Sequence, residues 1–302
     1  MDIGGLTKAG ALLVGLCGVS LAAGSDVALR WKLEKGQRLG YEFTQRNAIE
    51  VELENQEIKS STTLQFGLIW DVESVEADGS ARLKQTVDYV RVEVESGMQE
   101  PLVYDSRQGG DPPGPLAPLK ALYASVTAAP YELTLDARGQ VRDVKVPEDV
   151  IRAAQGSPAA MLADGGSLLS AKGVERLLAQ VIPPLPEGSA SQGATWDLKL
   201  ELPAGPLQMA ITNTYSLDQA TTPEALVTAQ IDTAIKPASG SPLEVEVSKQ
   251  SGTGRYRFEV EKGRLRDTDV TQDIRLILKV MGREIPQHFV IQAALRYRDD
   301  LK

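Results

Sequence analysis

Cysteine is nearly missing. The chain has one, Cys17, in 302 residues, and it lies in an N-terminal segment that reads as a processing signal. The mature chain is therefore expected to carry no disulfide framework, no thiolate nucleophile and no zinc–thiolate site. Histidine is equally scarce, with His288 alone, which excludes a histidine-built metal centre. A catalytic triad would need that ring beside a Ser or Cys nucleophile, and no Gly-x-Ser-x-Gly elbow accompanies it. Pro286-Gln287-His288-Phe289 puts His288 on the outward phase of a strand, so a solvated or turn-side histidine is expected.

Aromatic residues make up 5% of the chain. Trp31, Trp70 and Trp196 fall on apolar strand phases, which reads as core rather than sugar-stacking platforms. Positive charge is also short: 32 Lys and Arg against 41 Asp and Glu give a net charge of −9. That balance argues against nucleic acid, whose phosphates need clustered cations, and against docking on an anionic membrane. No phosphate loop or dinucleotide fingerprint is present. Gly252-Thr253-Gly254 lacks the third glycine and precedes a strand. The stretch Asp105 to Asp111 offers oxygen ligands near a turn, without the order or closing Glu of a calcium loop. No catalytic, cofactor-binding or metal residue is expected, and no cofactor.

Residues 1–24 read as a cleaved signal peptide. Lys8 precedes an apolar run from Ala9 to Ala23, and Leu21-Ala22-Ala23-Gly24 supplies small residues for a peptidase. A run of about 15 residues is short of the ~20 that a membrane span needs. The expected address is exported, periplasmic or extracellular. Acylation of Cys17 is disfavoured, because Leu16 stands where a small residue is required.

What the chain does have is alternation. A strand–turn–strand motif occurs twice, from Tyr131 to Val146 and from Tyr256 to Val270. Both read Gly-x-(Val/Leu)-Arg-Asp-x-x-Val from Gly139 and Gly263 onward. Apolar residues at every second place put one face of each strand in a core, and the glycine gives the turn access to positive φ. The recurring pairs Arg142-Asp143 and Arg266-Asp267 read as solvated ion pairs guarding a hairpin edge. Leu64, Phe66, Leu68, Trp70 and Val72 form another such strand, and Asp78-Gly79 signals a hairpin. Gly97 to Pro118 reads as a loop rich in Pro and Gly.

Helical spacing is confined to the middle. Leu119, Leu122, Tyr123 and Val126 predict one short helix, and Pro147-Glu148-Asp149 opens another. Ser170 to Val181 predicts a third, with its stripe at Val174, Leu177, Leu178 and Val181. Gly156 to Gly166 reads as a flexible connection.

The fold expected is α+β, mostly antiparallel β: a broad curved sheet with one or two packed helices. Residues 25–302 form a single β-rich domain of two loosely repeated halves, about 25–185 and 186–302, which suggests internal duplication. Two β-sandwich halves are the alternative.

The text Leu29-Arg30-Trp31-Lys32 with Lys35-Gly36, Tyr104-Asp105-Ser106, Leu133 to Asp136 through Gly139 to Val146, and Gly193 to Trp196 resembles a known group. It is a family of uncharacterised exported bacterial proteins, a domain of unknown function common in planctomycete-like bacteria. The resemblance implies fold and address and no catalytic residue. A non-catalytic exported envelope protein, binding or structural, is the expected function. A periplasmic carrier of hydrophobic ligand or lipid is the alternative, and an acid-only hydrolase is the least favoured. Partners are a hydrophobic ligand or an envelope protein, with no nucleic acid and no membrane span in the mature chain.

Overall fold

The computed structural model of the protein describes residues 26–301 except 54–55, 98–99, 109, 113, 156–167, 205–206, 240, 242 and 281. The expected signal segment, Cys17 and nearly all of the Gly156–Gly166 connection lie outside the described residues.

The first half contributes β1 (Arg38–Leu53), β2 (Gln56–Val75), β3 (Ala81–Ser96), β4 (Leu102–Asp105), β5 (Tyr131–Leu135) and β6 (Val141–Lys145). The second contributes β7 (Thr195–Ala204), β8 (Leu207–Ala220), β9 (Glu224–Pro237), β10 (Glu244–Glu259), β11 (Arg264–Val280) and β12 (Arg283–Tyr297). All join one antiparallel sheet in the order β6-β5-β3-β2-β1-β12-β11-β10-β9-β8-β7, with β4 paired to β3. The two halves meet where β1 pairs β12, Tyr41 opposite Tyr297 and Val51 opposite Gln287. One continuous sheet thus replaces the alternative of two sandwich halves. Long antiparallel strands joined by tight turns follow from the alternation in the sequence.

Among the described residues the α-helices are α1 (Ala117–Ala128), α2 (Glu148–Gln155) and α3 (Ala171–Val181). Ser170 caps α3 by accepting from the Gly173 amide at 3.0 Å, and Val174, Leu177, Leu178 and Val181 are buried, as the spacing predicts. α1 buries Leu119, Leu122, Tyr123 and Val126. Part of the stretch Gly97 to Pro118, expected to be a loop, is regular. It holds β4, where Tyr104 stacks on Tyr123 at 5.8 Å. Pro118 stands in the first turn of α1, where a missing N–H costs nothing.

The core lies on one face of the sheet and at one end of it. We call this the near end: the β2–β3, β5–β6, β8–β9 and β10–β11 turns lie there. Trp70 sits among Tyr41 at 4.9 Å and Trp31 at 6.1 Å. The hydroxyl of Tyr41 donates to the carbonyl of Leu265 at 3.1 Å, and burial pushes its ionisation far up.

The two copies of the motif become β5–β6 and β10–β11, and a single strap clamps both turns. Residues 27–33 cross the near end. The Trp31 amide donates to the Ala137 carbonyl and the Lys32 amide to the Gly263 carbonyl, each at 2.9 Å. Gly139 has φ 89° and Gly263 φ 58°. A Cβ on Gly139 would stand 3.0 Å from the Trp31 indole nitrogen, and one on Gly263 would stand 2.3 Å from Lys32 Cβ. The glycines are needed twice over, for the left-handed turn and for the close approach of the strap.

Candidate functional site

Inner-face residues alternate along every strand from the near end to the far end, where the β1–β2, β7–β8, β9–β10 and β11–β12 turns lie. At the near end that face is filled. Leu39, Tyr41 and Phe43 of β1 are buried. α3 packs on β6, β11 and β12 and is anchored where the Thr268 hydroxyl donates to the Val181 carbonyl at 2.8 Å. α1 packs on β3.

Beyond Gln45 the same alternation continues, but the inward residues are only half buried. Ile49 and Val51 on β1, Phe289 and Ile291 on β12, Leu278 and Val280 on β11, and Val245 and Val247 on β10 all keep part of their surface in water. Leu53 is 40% exposed and Ile58 51%. Registers place these residues in rows. Ile49 faces Phe289, which faces Ile274; Val51 faces Ile58 and Gln287, and Leu276 faces Gln287 and Val247. Ile274 and Leu276 are buried beneath their neighbours. On the next hairpins, Ile235 faces Met209, and Ile211 faces Leu200, all half buried. The opposite phase of these strands is charged: Glu50, Glu57, Lys59, Glu244, Glu246, Lys279 and Glu284. The far half is an amphipathic sheet with an open apolar floor.

The outer face carries a second cluster. His288 was expected to be solvated, yet its side chain is only 19% exposed. Nδ1 lies 3.0 Å from Glu50 Oε2 and Nε2 lies 3.0 Å from Asp273 Oδ1. Lys59 adds to Glu50 at 3.2 Å and Lys249 to Asp273 at 3.5 Å. The His288 ring and Lys59 hold the Glu50 carboxyl below the usual range. Burial pulls Asp273 up, and the His288 ring with Lys249 outweighs it, so that carboxyl is also lowered. The sequence held no signal for this cluster, because Glu50 and His288 are 238 residues apart and meet only through strand register.

The remaining candidates resolve into structural pairs. Asp105 is buried and held by Arg107, whose Nε donates at 2.9 Å and Nη2 at 2.7 Å. The guanidinium keeps that carboxyl below its ordinary value. Asp111 pairs with Lys120 at 2.6 Å. Among the described residues no group of three or more His, Cys, Asp or Glu is placed to hold a metal ion. Of the two Arg-Asp pairs, Arg142 and Asp143 form the expected solvated pair on the edge strand, 3.9 Å apart, while Arg266 and Asp267 differ. Asp267 is 6% exposed and takes the guanidinium of Arg257 at 2.8 Å, while Arg266 reaches Glu224 at 2.9 Å. Asp143 is exposed and adopts φ 53°. Trp31 and Trp70 are core, as expected, and Trp196 is half buried with its indole donating to the Pro184 carbonyl at 2.7 Å. An open groove of about 580 Å³, lined by Thr214, Ser216, Thr228, Thr253, Arg255 and Thr271 among others, lies on the outer face. It lies on the opposite side of the sheet from the apolar floor. Among the described residues no helix is long and apolar enough to cross a membrane.

The model of a family of unknown function, DUF6263, matches residues 78–262. The chain belongs to this family. The match spans both copies of the hairpin turn up to Lys262, and the strap lies outside it. No curated protein sequence matches this DUF6263 chain. Among solved structures, one described as lipid–protein interactions in lipovitellin is 11% identical with a TM-score of 0.49; the match covers 88% of this chain and 25% of that one. The chain thus spans about a quarter of lipovitellin's length. An outer membrane channel from Pseudomonas putida F1 is 8% identical with a TM-score of 0.22, covering 88% of this chain and 97% of that one. At these scores neither likeness carries an argument, and the functional reading rests on this DUF6263 chain's own geometry.

Proposed function

We propose that the protein is a non-catalytic exported envelope protein that binds a hydrophobic ligand, an acyl-chain lipid, on the far half of its inner face. The observation that carries this reading is the row-by-row apolar floor left half exposed there, on strands whose other face is charged. Exposed apolar surface of this kind, here interrupted by Gln287 and Asn47, marks interaction sites on monomeric proteins. An acyl chain gains about 0.8 kcal/mol per methylene removed from water. Ten covered methylenes are then worth roughly 8 kcal/mol, enough to offset much of the association cost of about 4–15 kcal/mol. The filled near half supports an open floor rather than an enclosed barrel cavity as the site. Export rests on the N-terminal segment, and cell fractionation with N-terminal sequencing of the mature protein tests it.

Binding is tested by native mass spectrometry of the purified protein and by titration with a fluorescent long-chain fatty acid. We expect a co-purified lipid mass and saturable binding. The double variant Leu278→Asp, Ile291→Asp is expected to weaken binding at least about tenfold, since each charge on the floor costs a kcal/mol or more to cover. It should leave the near-end tryptophan fluorescence unchanged. No bound mass and no saturable binding would remove the lipid reading.

A further inference from the structure

We propose that His288 is a proton-controlled clasp: as an imidazolium it ties β1, β12 and β11 together behind the apolar floor, and its deprotonation releases the tie. The geometry requires the charge. Each ring nitrogen lies 3.0 Å from a carboxylate oxygen, Glu50 on β1 and Asp273 on β11. A carboxylate only accepts, and a neutral imidazole has one N–H. The neutral ring would satisfy one carboxylate and turn a lone pair towards the other. Two N–H donors satisfy both, and both bonds are then charge-assisted.

The other charges facing the ring leave that balance intact. Glu50 also takes Lys59 of β2, which in turn takes Glu57. Asp273 also takes Lys249 of β10. Arg275 is the cross-strand neighbour of His288 on β11. The signs then fix a pH window. Glu50 and Asp273 are held below the ordinary carboxylate range, so their contribution is present above that range and lost as pH falls through it. The imidazolium contribution is present while both ring nitrogens carry protons and is lost when one is given up, so the clasp is closed on the acid side and open on the alkaline side.

Its position links it to the floor. Ile49, Phe289 and Ile274 face one another across the same three strands, and each is the chain neighbour of a clasp residue. The clasp and the middle row of the floor share one stretch of backbone. Where the lipid reading of that floor holds, a floor fixed in mild acid is better organised for its ligand and binds it more tightly.

His288 is the only histidine in the chain, so one ring accounts for imidazole titration in the whole protein. The test compares wild type, His288→Gln and Glu50→Gln at about pH 5.5 and about pH 9.5, far enough apart to span an imidazole that two carboxylates hold charged. The full chain is used, and two readouts are taken. Thermal unfolding is expected to show each variant below wild type by roughly 2–4 °C in acid, with the gap closing at the alkaline pH. The fluorescent fatty acid is expected to bind wild type several-fold more tightly in acid and to bind His288→Gln equally at both. A gap that stays the same at both pH values overturns the clasp, whatever the probe does. A gap that closes while the probe binds at neither pH sustains the clasp and removes the lipid reading. A gap that closes while wild type binds the probe equally at both overturns the link to the floor.

Discussion

The near and far ends of the sheet share one alternation and the same ladders of hydrogen bonds. They differ in what lies on the inner face. At the near end, Tyr41, Phe43, Trp70 and Leu295 are sealed, α3 packs on β6, β11 and β12, and the strap at Trp31 and Lys32 closes the end by bonding to both hairpin turns. At the far end, Ile49, Phe289 and Ile291 continue the same strands and remain half in water. The contrast teaches that alternation specifies which face is apolar and leaves open what covers it. Covering is supplied by other segments, and among the described residues the strap and α3 reach the near end.

The sharpest way to break this comparison is to delete the same side chain at each end. Phe43→Ala removes a fully buried ring and is expected to cost about 3–5 kcal/mol in urea unfolding. Phe289→Ala on the far floor is expected to cost about 1 kcal/mol. Equal costs would mean that the far floor is as sealed as the near end. The turns give the second comparison. Gly263→Ala must force a left-handed backbone and push its Cβ into Lys32, 2.3 Å away, so about 2–3 kcal/mol is expected. Gly282 at a far turn has φ 77° and nothing within 4 Å of the added Cβ. Gly282→Ala should cost only the backbone term of about 1 kcal/mol. Matching losses in a denaturant series would refute the strap as a clamp.

The smallest effect concerns charge. Arg107→Ala removes the bidentate cation from buried Asp105 and leaves Arg91 at 3.9 Å, so roughly 1.5 kcal/mol is expected for losing the partner of a charged hydrogen bond. Asp105 is held below the carboxylate range in the folded state, so this stability is present above its unfolded pKa and is lost as pH falls through the folded one. The difference between variant and wild type should therefore be full at neutral pH and vanish in strong acid. Lys59→Ala at the far turn, where both Lys59 and Glu57 are 57% exposed, should leave unfolding unchanged at any pH. A persistent Arg107→Ala defect in acid would place its cause in packing instead.

Much of the near end was legible in the residues. The twin hairpins, the helices with the buried stripes of α1 and α3, and the core role of Trp31 and Trp70 follow from period and turn chemistry, which act within a dozen residues, whereas α2 buries only Val150 and leaves Ile151 exposed. The candidate site was legible only in part. Ile49, Val51, Phe289 and Leu278 can be read as apolar strand positions, but whether such a position is sealed or open depends on which distant segment arrives over it. Asp267 and His288 show the same limit for charge. Both were expected at the solvent, and strand register brought Arg257 to one and two carboxylates to the other.

By itself, the order of residues determined that this chain makes antiparallel strands with one greasy and one charged side, turning at Gly79, Gly139 and Gly263. Those choices depend on side-chain period and on the φ that a residue without Cβ allows. Only the tertiary structure decided that β1 and β12, from opposite ends of the chain, meet at the centre, that the strap closes one end, and that the other stays open. Such outcomes depend on contacts between segments hundreds of positions apart, and no local pattern encodes where those segments meet.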